Sequence, residues 1–535
     1  MTEILDLTAD VLVIGGGPAG AWAALKAAQA GSDVILADKG YCGTSGATAS
    51  AGTGVWYVPP EPAARESAMA SRENLNGHLS DRRWMARVLD QTYANINELA
   101  AAGRYPFPTA ADGTEVRRGL QGPEYMRRMR AWLKRSGVRI LDHSPVLELL
   151  TTGAGAVAGA AGLRRQQGQD YRVRAGAVVL ATGGCAFLSR ALGCDVNTGD
   201  GALMAAEVGA VLSGMEFSNA YAIAPEFSSV TKTAYYTYAT FYRPDGSVLE
   251  GAGSQRGRSV IARALLAERV FCRLDRADAQ VQAAMRLGQP NFFLPFDRMR
   301  INPFTDRFPI TLLLEGTVRG TGGIRVAGPD CSTGVPGLYV AGDAATRELI
   351  CGGFTGGGSH NSAWAMSSGT WAGKAAAIFA WAVGPRAHRR RLVPAGAAGL
   401  RPTGAPGGGA DHRELVRAVQ AHTHPYDRNY LRRGPVLADS LAVLDDAWRL
   451  GREGLHGTGI DALWSRQAAA MVAHARWMYT AALARPETRG MHKRLDHPEP
   501  DPESRHRLVV GGLDELWSAP DPVRPHTPLD LAVAA

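Results

Sequence analysis

Gly15, Gly17 and Gly20, in the run Gly15-Gly-Gly-Pro-Ala-Gly20, are the first residues whose types and spacing point to chemistry. So small a turn leaves bare backbone, which lets a pyrophosphate approach the amides at the start of a helix. Asp38 follows at the distance where a carboxylate accepts hydrogen bonds from ribose hydroxyls. Together these residues predict a dinucleotide site. One fingerprint serves one dinucleotide. The six cysteines lie far apart without a C-x-x-C pair, so neither zinc nor an iron–sulfur cluster is expected, and no other metal.

The elements that must position these residues follow from hydrophobic pattern. Asp10-Val-Leu-Val-Ile14 reads as a strand before the glycines, residues 19–30 have a helical period, and a second strand ends at Asp38. Further strands are predicted at 177–181 and 337–341, each running into glycine. Their wide separation implies a nucleotide domain in two parts, 1–205 and 321–384, with an insertion at 206–320. Residues 385–409, rich in Arg, Pro, Gly and Ala, read as a linker. Helical patterns at 414–422, 435–455 and 459–483 predict a C-terminal helical domain, 410–535, with an irregular tail.

Composition sets the outer limits. The chain of 535 residues has 45% apolar and 20% charged residues, as a folded globular protein does. No run reaches the roughly 18 apolar residues of a spanning helix, and the acidic N-terminus lacks the layout of a signal peptide, so a cytoplasmic protein is expected. The formal charge of +8 is a small excess of 58 basic over 50 acidic residues, without a basic stripe, so nucleic acid is not an expected partner. The richness in Arg and Ala suggests a GC-rich bacterial genome.

Further runs take the reading beyond one fingerprint. Gly43-Thr-Ser-Gly-Ala-Thr-Ala-Ser-Ala-Gly-Thr-Gly54, Ala181-Thr-Gly-Gly184, Asn197-Thr-Gly-Asp-Gly-Ala202, Met215-Glu-Phe217, Gly337-Leu-Tyr-Val-Ala-Gly-Asp343 and Glu487-Thr-Arg-Gly-Met-His492 occur in this order. In kind and order they resemble the flavoprotein subunits of the fumarate reductase and succinate dehydrogenase family, across almost the whole chain. The resemblance implies an α/β fold: a Rossmann-like FAD domain with an inserted α+β capping domain and a C-terminal helical domain. It implies FAD contacts from Gly15, Gly17, Ala19, Gly20 and Asp38, and from Thr44, Ser45, Gly46, Thr48, Ala51 and Gly52 along the small-residue run. Asp343, after Gly342, would accept from the ribityl chain. The backbone around Ser359, Asn361 and Ser362 would donate to flavin O2 and N1, where charge builds on reduction. Lys39, Val146, Ala181, Thr182, Gly183, Thr198 and Asp200 complete the expected contacts.

The departures are as informative. Family members that link FAD covalently use a histidine near the place of Gly46, so noncovalent FAD is expected. The family's dicarboxylate contacts fall here on Tyr221, Val318 and Gly356 or Gly357, which removes three partners for substrate carboxylates. Arg256 resembles the family's proton-donating arginine, although Arg258 stands where that loop has glutamate. His360, in a Gly-Ser-His sequence similar to adenylylsulfate reductase flavoproteins, could serve as local acid/base or only bond the flavin. Arg256, His360 and Tyr221 are thus the catalytic candidates, with Arg319 and Glu315 behind them and His143 read as a loop residue. Tyr235, Tyr236, Tyr238, Phe241 and Tyr242 could form a lid or pack a core.

These residues predict an FAD-dependent oxidoreductase that exchanges hydride between flavin N5 and a small organic substrate other than fumarate or succinate. One alternative is an adenylylsulfate reductase-like subunit fed by a ferredoxin-like carrier, and another a flavin-binding scaffold without turnover. The expected partner is a small molecule; a ferredoxin-like or other redox protein and a homo-oligomer are left open.

Overall fold

The computed structural model describes residues 4–521 apart from 74, 111, 232, 256, 356–357 and 405–408. Its centre is a parallel sheet. Strand β1 (Leu5–Ile14) runs into the glycine turn, helix α1 (Pro18–Gln29) packs back, and β2 (Val34–Ala37) lies beside β1 with Val11 opposite Val34 and Ile14 opposite Ala37. On the other side of β1 lies β3 (Gln169–Leu180), in register from Leu5–Tyr171 to Ile14–Leu180. The C-terminal half of β3 then pairs in parallel with β4 (Leu338–Val340). The last residues of β1, β2, β3 and β4 are buried without alternation, as befits a sheet covered on both faces. The three strand positions read from sequence are therefore neighbours, although more than 150 residues separate β3 from β4 in sequence.

Helix α2 (Gly358–Val383) covers the same face as α1. Side chains at Gly369 and Gly373 would collide with the backbone of Ala19 and Ala23, so these two positions must be glycine for the helices to approach so closely. Trp364 Nε1 donates to Gly342 O at 3.1 Å, and the Gly342 amide donates to Ser368 Oγ at 2.9 Å. The helix is thereby pinned to the end of β4.

The insertion holds a separate antiparallel sheet in the order Ala220–Pro225, Phe308–Glu315, Val270–Arg273, Thr240–Tyr242. Its aromatic group divides. Phe241 is buried in the sheet, the Tyr242 hydroxyl donates to Asp275 at 2.7 Å, and Tyr235 and Tyr236 turn their rings edge-on to Phe292.

Two expectations need correction. The segment read as a linker is tied to the main sheet: Val393–Pro394 pairs with Thr151 and Leu150, and Arg401 binds Glu148 through Nη1 and Nη2, each at 2.8 Å. Its polar composition hid an edge strand too short to show a period. The tail beyond the helices His412–Thr423, Gly434–Gly454 and Ile460–Ala484 also carries strands among its described residues, since Leu508–Gly511 pairs with Leu212–Ser213 and with Trp517–Pro520.

A buried ionic network joins the two family-like runs whose role was not legible from residue type. Arg485 Nε binds Glu216 at 2.8 Å and its Nη1 binds Glu487 at 2.7 Å, while Arg489 holds Glu487 at 2.6 and 2.8 Å. Arg432 donates to Glu216 O and to His492 Nδ1, both at 2.6 Å. Removing one partner of a buried pair strands the other charge away from water, at a cost of about 3–5 kcal/mol. Arg485→Ala should therefore lower stability by about that much, seen as a lower denaturant midpoint, whereas an exposed pair such as Arg127–Glu124 should contribute less than about 1 kcal/mol.

Glu348, wholly buried near Glu216, accepts from the Ser213 and Thr346 hydroxyls. Burial pushes its carboxyl up to about 7, with Arg507 opposing and Glu216 adding to the rise. A pKa raised on folding stabilises the protein below the unfolded value, near 4.3, and that contribution is lost as pH rises through about 7. Glu348→Gln should thus gain stability relative to the wild type between pH 5 and pH 8, measured by thermal melting across that range.

Candidate functional site

The C-terminal ends of β1, β2, β3 and β4 open into one cleft of about 580 Å³. It runs from the glycine turn, past the N-terminus of α2, to the underside of the inserted sheet. Gly15 has φ +106°, and a side chain there would collide with Ala181 O; one at Gly20 would collide with Gly15 O. The turn therefore fits only as bare backbone. A side chain at Gly17 or Gly46, by contrast, would meet nothing within 4 Å, since both face the cleft. Such a cradle, long, narrow and lined by backbone, fits a dinucleotide.

Asp38 gathers this end. Its Oδ2 accepts the Gly16 amide at 2.6 Å, and its Oδ1 accepts the Gly40 amide at 2.7 Å and the Ser45 hydroxyl at 2.9 Å. A carboxylate offers about four acceptor positions, so these donors leave capacity for a ribose hydroxyl. Lys39 turns across the cleft wall to Asp200 and Thr198, at 2.7 Å each.

At the middle of the cleft Asp343 pairs with Arg347, which also donates to the carbonyls of Thr317, Val318 and Gly320. Arg347 is buried, so this one guanidinium fixes both the Asp343 carboxylate and the turn that carries Arg319. Opposite, Ser362 Oγ donates to Gly54 O at 2.6 Å and closes the start of α2 against the small-residue run. The dipole of this 26-residue helix favours negative charge where its first turn meets the cleft.

The sequence-derived residues separate by placement. Gly15, Gly17, Ala19, Asp38, Lys39, Ser45, Gly46, Thr48, Ala51 and Gly52 line the cleft, as do Val146, Ala181, Thr182, Gly183 and Asp200. Gly342, Asp343, Ser359, Asn361 and Ser362 line it too. Gly20 lies behind the turn, Thr44 donates its amide to Tyr41 O, and Thr198 supports Lys39.

The catalytic candidates fare differently. His360 sits one residue from the lining positions, but its side chain is wholly buried with its ring 4.7 Å from that of Trp56, outside the cleft. Helical geometry turns it about 100° away from Ser359 and Asn361 on either side. Tyr221 is buried between Tyr426 and Tyr430, its hydroxyl donating to the carbonyls of Thr423 and His424 at 2.7 and 3.1 Å. The next two residues, Ala222 and Ile223, line the cleft instead. Arg256 lies outside the described residues. Arg319 lines the cleft with Glu315 beside it, and His143 is a loop residue with φ +51°.

Sequence reasoning missed Arg258 and Gln289, which line the cleft from the inserted region. Arg258 was legible only as a departure from the family loop, and Gln289 carries no motif.

Residues 10–223 match the family described as an FAD binding domain, and residues 461–514 match the fumarate reductase flavoprotein C-terminal domain. This chain belongs to the fumarate reductase and succinate dehydrogenase flavoprotein family. An L-aspartate oxidase of Streptomyces coelicolor is 26% identical over 95% of this flavoprotein and 92% of its own chain. An Escherichia coli quinol fumarate reductase superposes with a TM-score of 0.80 at 19% identity, covering 98% of this flavoprotein and 99% of that chain. Adenylylsulfate reductase of Archaeoglobus fulgidus does so with 0.76 at 16% identity, covering 98% and 97%. At these identities the structural likeness is one of fold. The flavoprotein is an FAD-dependent oxidoreductase, and among its described residues no helix is long and apolar enough to cross a membrane.

Asp38→Asn should separate cradle from scaffold. The amide keeps the shape but turns an NH2 toward the Gly16 or Gly40 amide, so one donor faces another. We expect FAD affinity to fall by about 10-fold or more, equivalent to a charge-assisted bond of about 1.5–3 kcal/mol, measured by recovery of flavin fluorescence on dilution. Unchanged affinity would show that Asp38 serves the turn alone.

Proposed function

We propose that this flavoprotein exchanges hydride between noncovalently held FAD and a small organic acid other than fumarate or succinate, bound where the cleft passes under the inserted sheet. The observation that carries the reading is the continuity of the cleft. A wall of backbone and small residues suited to the cofactor runs directly into a chamber walled by Ala222, Ile223, Tyr235 and Tyr236, with Arg258 and Arg319 at its edge. FAD supplies the hydride acceptor or donor when bound. The protein's part is to fix its orientation through Asp38 and Asp343, to offer the first amides of α2 to the charge that grows on reduction, and to exclude water with the aromatic wall.

Noncovalent attachment is supported by the lining itself, because no histidine or cysteine stands among the described residues of the cleft. Departure from dicarboxylate chemistry is supported by Val318, which presents an alkyl group, and by Tyr221, whose hydroxyl is committed to two backbone carbonyls. A second reading, oxidation of an amino acid, is favoured by the likeness to L-aspartate oxidases over nearly the full chain. The same two positions speak against aspartate itself.

Two measurements check this. Acid precipitation should release intact FAD, leaving a colourless pellet; flavin retained in the pellet would overturn noncovalent binding. Anaerobic titration of the bound flavin should show bleaching, or reoxidation of the reduced form, with a monocarboxylic acid in a substrate panel, and none with succinate, fumarate or L-aspartate. Equal response to succinate would restore the family activity.

A further inference from the structure

The chamber at the capped end of the cleft contains a cation whose partners do not match its charge. Arg258 opens the helix Arg258–Leu265 just after Gly257, where φ of +92° turns the chain. Its Nη1 donates to Tyr221 O at 2.9 Å and its Nη2 to Ser254 O, both neutral carbonyls. Its Nε is shut off from solvent and has no hydrogen-bond partner among the described residues. Among the described residues no carboxylate lies within ion-pair distance of it. Burial pushes the guanidinium below the usual arginine range; Arg319 adds to that fall, while Tyr430 and Glu315 oppose it. Glu315 is already engaged, 3.4 Å from Arg319 and bonded by the Thr231 hydroxyl. Two guanidiniums thus face one carboxylate among the described residues.

A buried donor left without an acceptor, on a cation without a counterion, is costly unless something anionic completes it. The surroundings limit what that can be. Tyr235 is fixed by its hydroxyl bond to Met285 O at 2.7 Å and by its edge-on contact with Phe292, so its ring is a standing wall. Ile223 and Val318 add apolar surface. Of the other cations that line the cleft among the described residues, Arg319 is held by Glu315 and Lys39 by Asp200, so a second carboxylate would lack a cation of its own.

We propose that Arg258 is the anchor for the single anionic group of the substrate, a monocarboxylic acid whose uncharged, flat or apolar body lies along Ile223, Tyr235 and Tyr236. This rests on the reading that the substrate meets FAD in this cleft. It adds the substrate class and the residue that selects it. Arg258 touches the substrate but takes no part in hydride transfer.

The test uses the FAD-bound full chain and three probes: cinnamate, its neutral counterpart cinnamamide, and the dianion fumarate, each followed by perturbation of the flavin absorbance. Cinnamate should bind saturably and at least about 10-fold more tightly than either other probe, the lower end for a charge-assisted bond. Arg258→Gln should weaken cinnamate by about 10- to 100-fold and leave cinnamamide unchanged. Arg258→Lys should fall between, since it keeps the charge and loses the planar fork. Because Arg258 also holds two backbone carbonyls, Glu315→Gln provides an independent check. Losing the neighbouring negative charge should tighten cinnamate several-fold without affecting cinnamamide.

Cinnamate binding that is absent, weaker than that of fumarate, or unchanged in Arg258→Gln overturns the proposal, as does loosened cinnamate binding in Glu315→Gln. Should cinnamate bind through Arg258 while no acid in the panel bleaches the flavin, the hydride-transfer reading fails and the anchor stands. Should an acid bleach it equally in wild type and Arg258→Gln, the anchor fails and the reading stands.

Discussion

One carboxylate holds the cofactor end of this molecule together. Asp38 receives the amide of the glycine turn, the amide that follows β2 and the Ser45 hydroxyl of the small-residue run. These segments have almost no side chains with which to hold one another. A turn made of glycine cannot pack itself into place, so its position has to come from hydrogen bonds, and a buried carboxylate makes stronger ones than a neutral acceptor would. The conformational freedom that lets the backbone approach a large ligand is thus countered by a single polar hub. The lining beyond it, from Ser45 to Gly54, inherits its position from that hub.

Glycine and strand signals made this part of the molecule readable from residues. The β1–turn–α1–β2 unit carries short-range pattern, and the runs at 177–181 and 337–341 are uniformly apolar, as strands covered on both faces must be. What escaped reading was set by long-range pairing. Val393–Pro394 and Leu508–Gly511 are strands because an open sheet edge lies beside them, not because of their own pattern. His360 and Tyr221 show the same limit in the site. Their types suit chemistry, but a 100° step along a helix and the packing of a strand residue against Tyr426 and Tyr430 decide which side chain faces the cleft. Sequence placed both within one residue of it; helical periodicity turns His360 away, and the carbonyls of Thr423 and His424 hold the Tyr221 hydroxyl elsewhere.

The ionic network around Glu216 belongs to a different economy of forces. Arg432, Arg485, Glu487 and His492 are buried with nearly every polar atom engaged, and they fasten the last helix and tail to the segment that precedes the inserted sheet. An apolar interface of the same size would hold as well but would tolerate sliding. Directional bonds to named carbonyls do not, which keeps the C-terminal region in one register against the chamber wall.

The cleft draws its lining from Ile14 through Ala365. A ribosome must therefore release about two thirds of the polypeptide before the last wall, the first turn of α2, exists at all. The early β1–turn–α1–β2 unit emerges long before β4 and α2, and until they arrive β3 has an unpaired edge and α1 an uncovered face. Flavin loading is consequently a late event in biosynthesis, and the nascent chain passes through a stage in which an apolar sheet edge is open to chaperones or to misassociation.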